Sequence, residues 1–172
     1  MASDFLDECV SVLERMPMTL DALLRGLPEP WTAATEGPGT WSPHTVVGHL
    51  IHAERVDWMP RVEIILTHGP DRPFEPFDRL PNLDLGKSLP MLLDEFRACR
   101  TQNLARLQAL NLSPGQLQLQ GSHPALGLVT LRQLLGTWTA HDLGHLLQIS
   151  RTMAKRFKPE VGPWAEYLSV MK

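Results

Sequence analysis

The stretch "GTWTAHDLGHLLQISR" at residues 136–151 repeats apolar side chains at helical spacing, yet it carries two imidazoles. Steps of three and four through it and the turns before it give Leu131, Leu134, Trp138, His141, His145 and Ile149. That walk is one stripe of an α-helix, so His141 and His145 belong to the face turned toward other helices. Residues four apart share a face, and both rings can reach a common point. The pair is a usable two-pronged metal platform. Asp142 stands where the HExxH helix of zinc proteases has Glu, so a protease is not supported. On its own the pair also fits a core with hydrogen-bonded histidines and no metal.

Upstream, Thr130 and Gln133 have capping-box spacing, and the helix is expected to run from there to about Phe157. A second strong helix start lies in "TWSPHTVVGHLIHAERVDW", residues 40–58. Ser42 suits an N-cap, Pro43 the first helical position, and Trp41 with Val46 the two halves of a hydrophobic staple. This helix should reach about Thr67, bent by Pro60. An earlier helix spans about residues 3–26, its stripe running through Phe5, Cys9, Val12, Met16, Leu20, Leu23 and Leu24, with a kink near Met16 caused by Pro17. Another spans about residues 88–110, with Leu89, Leu92, Leu93, Phe96, Cys99, Leu104, Leu107 and Leu110.

Four helices of this length make an all-α four-helix bundle, a single domain over residues 1–172. The connection between helices two and three, residues 69–87, is long and rich in Pro, Asp and Gly, which suggests a crossover or a lid. Between helices three and four, the alternation "QLQLQ" fits either a short strand or an extended linker. The tail "KPEVGPWAEYLSVMK" offers Trp164, Tyr167, Leu168 and Met171 for docking on the bundle.

Composition narrows the function classes. The net charge of -3 gives no basic face for nucleic acid. No apolar run is long enough to span a membrane, and "MASDFLDECV" lacks a signal-peptide pattern. With only Cys9 and Cys99, both on apolar stripes, no disulfide framework is expected, and a reduced cytoplasmic setting is the default.

In a bundle, sites form where facing helices project side chains inward. The second helix offers His49 and His52 within "VVGHLIHAER". One of these with His141 and His145 makes a three-histidine face with coordination positions left for water or substrate. His49 is the third ligand chosen; His52 either lines the site or faces solvent. His44 and His68 are read as surface and helix-end residues. His123, before Pro124, is read as a turn residue within reach of the site. Glu54 and Asp142 are the carboxylates nearest in sequence that complete or orient the shell. His52, His123 and Asp142 are the candidates for moving protons.

The segments "WSPHTVVGHLIHAERVDWMPRVEIIL" and "GSHPALGLVTLRQLLGTWTAHDLGHLLQI", with the closing "GPWAEYL", resemble the DinB-like superfamily of metal-binding four-helix bundles, which includes the DinB/YfiT-type proteins. The resemblance implies a divalent metal (nickel, zinc, iron or manganese) on three histidines. Carried over by position, these are His49, His141 and His145. It also implies a homodimer and chemistry with a small-molecule substrate, including transfer with a low-molecular-weight thiol such as bacillithiol or mycothiol. The expectation is a metal-dependent thiol S-transferase or hydrolase; the alternative is a metal-stabilised binding or stress-response module without turnover.

Overall fold

Two prolines set where the long helices break. A proline inside a helix cannot donate to the carbonyl four residues back and its ring collides with it. In a computed structural model, which describes residues 2–78 and 86–172, the first helix is divided into α1 (Ala2–Leu13) and α2 (Arg15–Leu24). The break follows Leu13, the residue four before Pro17, and so lies slightly ahead of the kink expected at Met16. A short α3 (Glu29–Thr32) follows, with Pro30 in its first turn. The second long helix is divided by the same rule into α4 (Pro43–Val56) and α5 (Trp58–His68), because Val56 is four residues before Pro60. Ser42 caps α4 by accepting from the Thr45 N–H at 3.2 Å.

The remaining helices are α6 (Leu89–Ala109) and α7 (Leu131–Lys155), followed by the single turn α8 (Lys158–Val161). Thr130 and Gln133 form the capping box at the start of α7. The architecture is the four-helix bundle expected from the sequence. In it α6 packs against α2 and α4, while α7 packs against α1, α5 and α4.

Its apolar interior has two parts. Val10, Leu13, Trp58, Val62, Leu107, Leu135 and Trp138 fill one end, between α1, α5, α6 and α7. Met16, Leu20, Leu24, Val47, Leu50, Leu93, Phe96 and Ile149 fill the other. A buried polar group lies among these helices. Arg100, 1% exposed, donates to Glu54 Oε1 from Nε and Nη2 at 3.1 and 2.7 Å, and its Nη1 is 2.7 Å from Asp142 Oδ2. The same guanidinium donates to the Leu13 carbonyl at 2.9 Å, the acceptor that Pro17 cannot serve. Asn103 and the Trp138 indole N–H donate to the Glu54 carboxylate at 2.9 and 3.0 Å.

Between α6 and α7 an antiparallel hairpin forms from β1 (Gln120–His123) and β2 (Gly127–Thr130), with Gly121 opposite Val129. The strand starts where "QLQLQ" ends; Gln116–Gln118 is a 3-10 turn instead. Gly121 is required here, because a Cβ would stand 2.6 Å from Phe74 Cζ and 2.8 Å from Ile65 Cγ1. Phe74 in turn donates its N–H to the Ser122 carbonyl at 2.9 Å, so the start of the long connection runs beside the hairpin. Of that connection, residues 79–85 lie outside the described residues.

The tail departs from expectation. Its last turn meets α7, but Trp164 and Tyr167 are 70% and 82% exposed rather than docked. Prolines 159 and 163 and Gly162, with its φ of 52°, keep the segment in short turns that present no continuous apolar face. No described helix is long and apolar enough to cross a membrane.

Removing the Arg100 charge should leave two buried carboxylates without their counterion. Arg100→Leu is expected to lower unfolding stability by about 3–5 kcal/mol in urea denaturation. A loss below 1 kcal/mol would show that the buried group is not what joins these helices.

Candidate metal centre

His141 and His145 project from α7 and His49 from α4, two helices that pack directly. The Nε2 atoms of His49 and His141 are 3.2 Å apart, and those of His141 and His145 are 3.1 Å apart. All three residues offer a ligand atom within 4.8 Å of one another. Three nitrogens on one ion at about 2.1 Å stand roughly 3.0 Å apart at right angles and roughly 3.4 Å apart in a tetrahedron. The two separations from His141 fall between these values and the remaining pair lies within 4.8 Å, so the donor set fits a divalent cation.

The surroundings favour the ligand form of the rings. Gln148 Oε1 is 2.9 Å from His145 Nδ1, which places the proton on Nδ1 and leaves the Nε2 lone pair facing the other two rings. Burial, reinforced by the neighbouring His141, holds the His145 pKa below the usual value, so its neutral form is preferred. Asp142 Oδ1 lies 3.7 Å from His141 Nδ1, beyond hydrogen-bond distance. Beneath the rings, Glu54 and Asp142 share the single guanidinium of Arg100, at 2.7 Å each.

Of the three histidines, only His49 is buried, at 3% exposure. On α7, Asp142 is fully buried with Leu135, Trp138 and Ile149, while His141 and His145 are half-buried at the edge of the stripe. They open onto a cavity of about 910 Å³, whose walls include Trp41, His49, Trp58, Phe74, Phe77 and Leu134. Trp41 packs on the His49 ring at 4.7 Å and stacks near His145 at 6.1 Å, and Trp58 meets His141 edge-on at 5.1 Å. Trp41, read from sequence as one half of a staple, therefore also walls the histidine group.

The other sequence candidates are placed differently. His52 is half-buried against Phe77 at 5.2 Å, and its buried Nε2 has no hydrogen-bond partner among the described residues. His52 is neither in the three-histidine group nor among the cavity-wall residues found. His123 holds a turn, as expected: its Nδ1 accepts from the Ala125 and Leu126 N–H groups at 3.1 and 3.2 Å. Its ring is also part of the cavity wall, and burial lowers its pKa. Asp142 and Glu54 are engaged by Arg100 and covered, so Glu54 is a structural carboxylate and not a ligand. His44 is half-buried rather than free on the surface, with Nε2 2.9 Å from the Lys87 carbonyl.

Several cavity residues were not singled out from the sequence. Asp57 stands at the break between α4 and α5, is buried, and has its pKa raised by that burial. Its Oδ1 is 2.6 Å from Arg61 Nε, one turn along α5. At the other end of the cavity, Glu36 is 2.7 Å from Arg151 Nε and 2.8 Å from Lys155 Nζ, pinning the loop before α4 onto α7. A carboxylate just after a helix break and a Glu in a Gly-Pro-Gly loop are weak signals, because their partners are distant in sequence.

Comparison with known proteins is consistent with this layout. Residues 12–149, well over half of the chain, match the family model of the DinB superfamily. No curated protein matches the sequence. Among solved structures, the fold is similar to YfiT from Bacillus subtilis, described as a probable metal-dependent hydrolase with an unusual four-helix bundle topology. That likeness has a TM-score of 0.75 at 21% identity and covers 89% of this chain and 87% of that one.

The Glu36 contacts give a pH signature. Lys155, then Arg151, hold the Glu36 carboxyl below its ordinary value of 4.5. A depressed folded pKa adds stability that is present above the unfolded value and is lost as pH falls through the folded one. Wild type should therefore exceed Glu36→Gln in urea midpoint at pH 6, and the gap should narrow as the pH is lowered below the ordinary glutamate range. An unchanged gap at the lower pH would mean that the Glu36 charge is not what holds the loop.

Proposed function

Because the chain belongs to the DinB superfamily and three of its imidazoles share one point, we propose that it is a metal-dependent enzyme activating a small nucleophile against an electrophilic substrate. The observation that carries this reading is the approach of His49 Nε2 and His145 Nε2 to His141 Nε2, at 3.2 and 3.1 Å, on the wall of a cavity of about 910 Å³. Such a volume accommodates an organic substrate. Imidazole donors suit nickel, zinc and iron alike. When bound, a divalent ion supplies Lewis acidity that favours the anionic form of a thiol or water at neutral pH.

The chain's own residues supply the rest. His49, His141 and His145 would hold the ion, with Gln148 fixing the tautomer of His145. Asp142, anchored by Arg100, places negative charge behind His141. The Trp41 and Trp58 rings cover the histidines and limit water at the reacting centre.

A thiol is the favoured nucleophile. Cavity-wall residues on α7 run from Gln133 to Arg151, about 27 Å of helix, with His141 and His145 between them. Polar residues stand on both sides of the histidines: Asp57, Arg61 and His123 toward the hairpin, Glu36, Gln148 and Arg151 toward the loop before α4. Two reactants can then meet at the centre, as a thiol S-transferase requires. Hydrolysis is the second reading, favoured by the likeness to YfiT and its description as a probable metal-dependent hydrolase.

Elemental analysis of the purified chain should find about one transition metal per protein, and His49→Ala and His145→Ala should lose at least about tenfold in metal affinity. Metal-loaded protein should conjugate low-molecular-weight thiols to 1-chloro-2,4-dinitrobenzene, with turnover abolished by chelator. Hydrolysis of p-nitrophenyl acetate without thiol would select the second reading. Stoichiometric metal in both variants would reject the site. A chelator-lowered melting temperature with no turnover in either assay would leave a metal-stabilised binding protein.

A further inference from the structure

The cavity wall contains an arginine that the three-histidine chemistry does not use. Arg61 is 8% exposed, and its guanidinium packs over the Phe74 ring at 5.1 Å. Its Nε faces Asp57 Oδ1 at 2.6 Å, and Nη2 makes only a 3.4 Å contact with the Glu75 carbonyl. A guanidinium has five N–H donors in a planar fork, and buried donors require acceptors. No other acceptor for Arg61 is found among the described residues. No Arg61 nitrogen is both fully covered and unpartnered, so its spare donors reach the open space of the cavity, where water or a bound ligand accepts from them.

Arg151, at the opposite end, differs. Its side chain is 41% exposed and already engaged by Glu36, so bulk water satisfies it. Holding a guanidinium away from water is costly, as the lowered pKa of Arg61 reflects. Asp57 offsets part of that cost but occupies only the Nε side. The edge formed by the two Nη groups matches the spacing of a carboxylate's two oxygens. The cavity wall carries Phe74 against the guanidinium, the apolar or aromatic Trp58, Val129 and Leu134, and the polar Asp57 and His123.

We infer that Arg61 is the specificity-determining residue of a carboxylate subsite, and that one substrate of this cavity is a carboxylate with an aromatic or branched apolar body. The carboxylate binds the Nη edge of Arg61 and the apolar body lies along the cavity toward the histidines. The inference rests on the cavity being the reaction chamber proposed above, but the subsite itself needs no metal. The opposing explanation is a purely structural Asp57–Arg61 pair stapling the start of α5.

The test is direct binding to the full chain, metal-loaded and after chelation, followed by the fluorescence of the cavity tryptophans. The probes are phenylacetate and its neutral isostere phenylacetamide. Chelated wild type should bind phenylacetate at least about tenfold more tightly than the amide. Arg61→Lys, which keeps the charge but not the fork, and Arg61→Gln should each weaken phenylacetate by at least about tenfold. Neither should change the affinity for phenylacetamide, and Arg151→Gln should change neither ligand. Equal binding of acid and amide by wild type would overturn the subsite without any variant. So would phenylacetate binding that survives both Arg61 substitutions, or that is lost in Arg151→Gln. Arg61-dependent binding without metal-dependent turnover would count against the proposed enzyme and not the subsite; metal-dependent turnover with no carboxylate preference would do the reverse.

Discussion

Arg100 is the constraint on which the interior depends. It joins four of the helices through a charge that must be compensated where it stands. Glu54 on α4 and Asp142 on α7 supply the counterions, and the Leu13 carbonyl at the end of α1 takes a further N–H. The arrangement converts a helix break into an anchoring point, because the acceptor released by Pro17 becomes the place where α6 attaches to α1. Ion pairs of this kind add little net stability over a well-packed apolar core, but breaking one is severe. Its value is geometric: it fixes the rotation of α7 against α4, and that rotation decides whether His141 and His145 meet His49.

The same logic explains why His141 and His145 stand at an edge. Asp142, one residue beyond His141, takes the inward position, so the adjacent imidazole is turned toward the cavity. The three-histidine group thus has the Arg100 ion-pair cluster on one side and the open chamber on the other. Aromatic walls on either side, Trp41 and Trp58, further limit orientation. Chamber, ligand shell and interior charge are therefore parts of one arrangement.

Much of this was legible in the sequence. The helical stripes, the Ser42 and Thr130 caps and the HxxxH spacing depend on neighbours within two turns, and such signals survive in one dimension. The proline breaks followed from a local rule, although their position required counting four residues back to the clashing carbonyl. What was not legible depended on partners far along the chain. Arg100 lies between Phe96 and Leu104 on the apolar stripe of α6, Glu54 between Leu50 and Trp58, and Asp142 between Trp138 and Ile149. Charges at three stripe positions were a readable sign of a buried ionic group, but which charge meets which is settled only by tertiary packing. Arg61 and Asp57 are similar: a pair four apart reads as a surface bridge until the segment with Phe74 and Glu75 is in place against it.

X-ray absorption fine structure at the edge of the metal found in the purified chain addresses the convergence of the three imidazoles most directly. The account predicts a first shell containing about three imidazole nitrogens at roughly 2.0–2.1 Å, with the multiple scattering of histidine rings and at least one further light-atom ligand that added thiol replaces with sulfur. A shell of oxygen alone, or one in which the histidine scattering persists unchanged in His49→Ala, would contradict it.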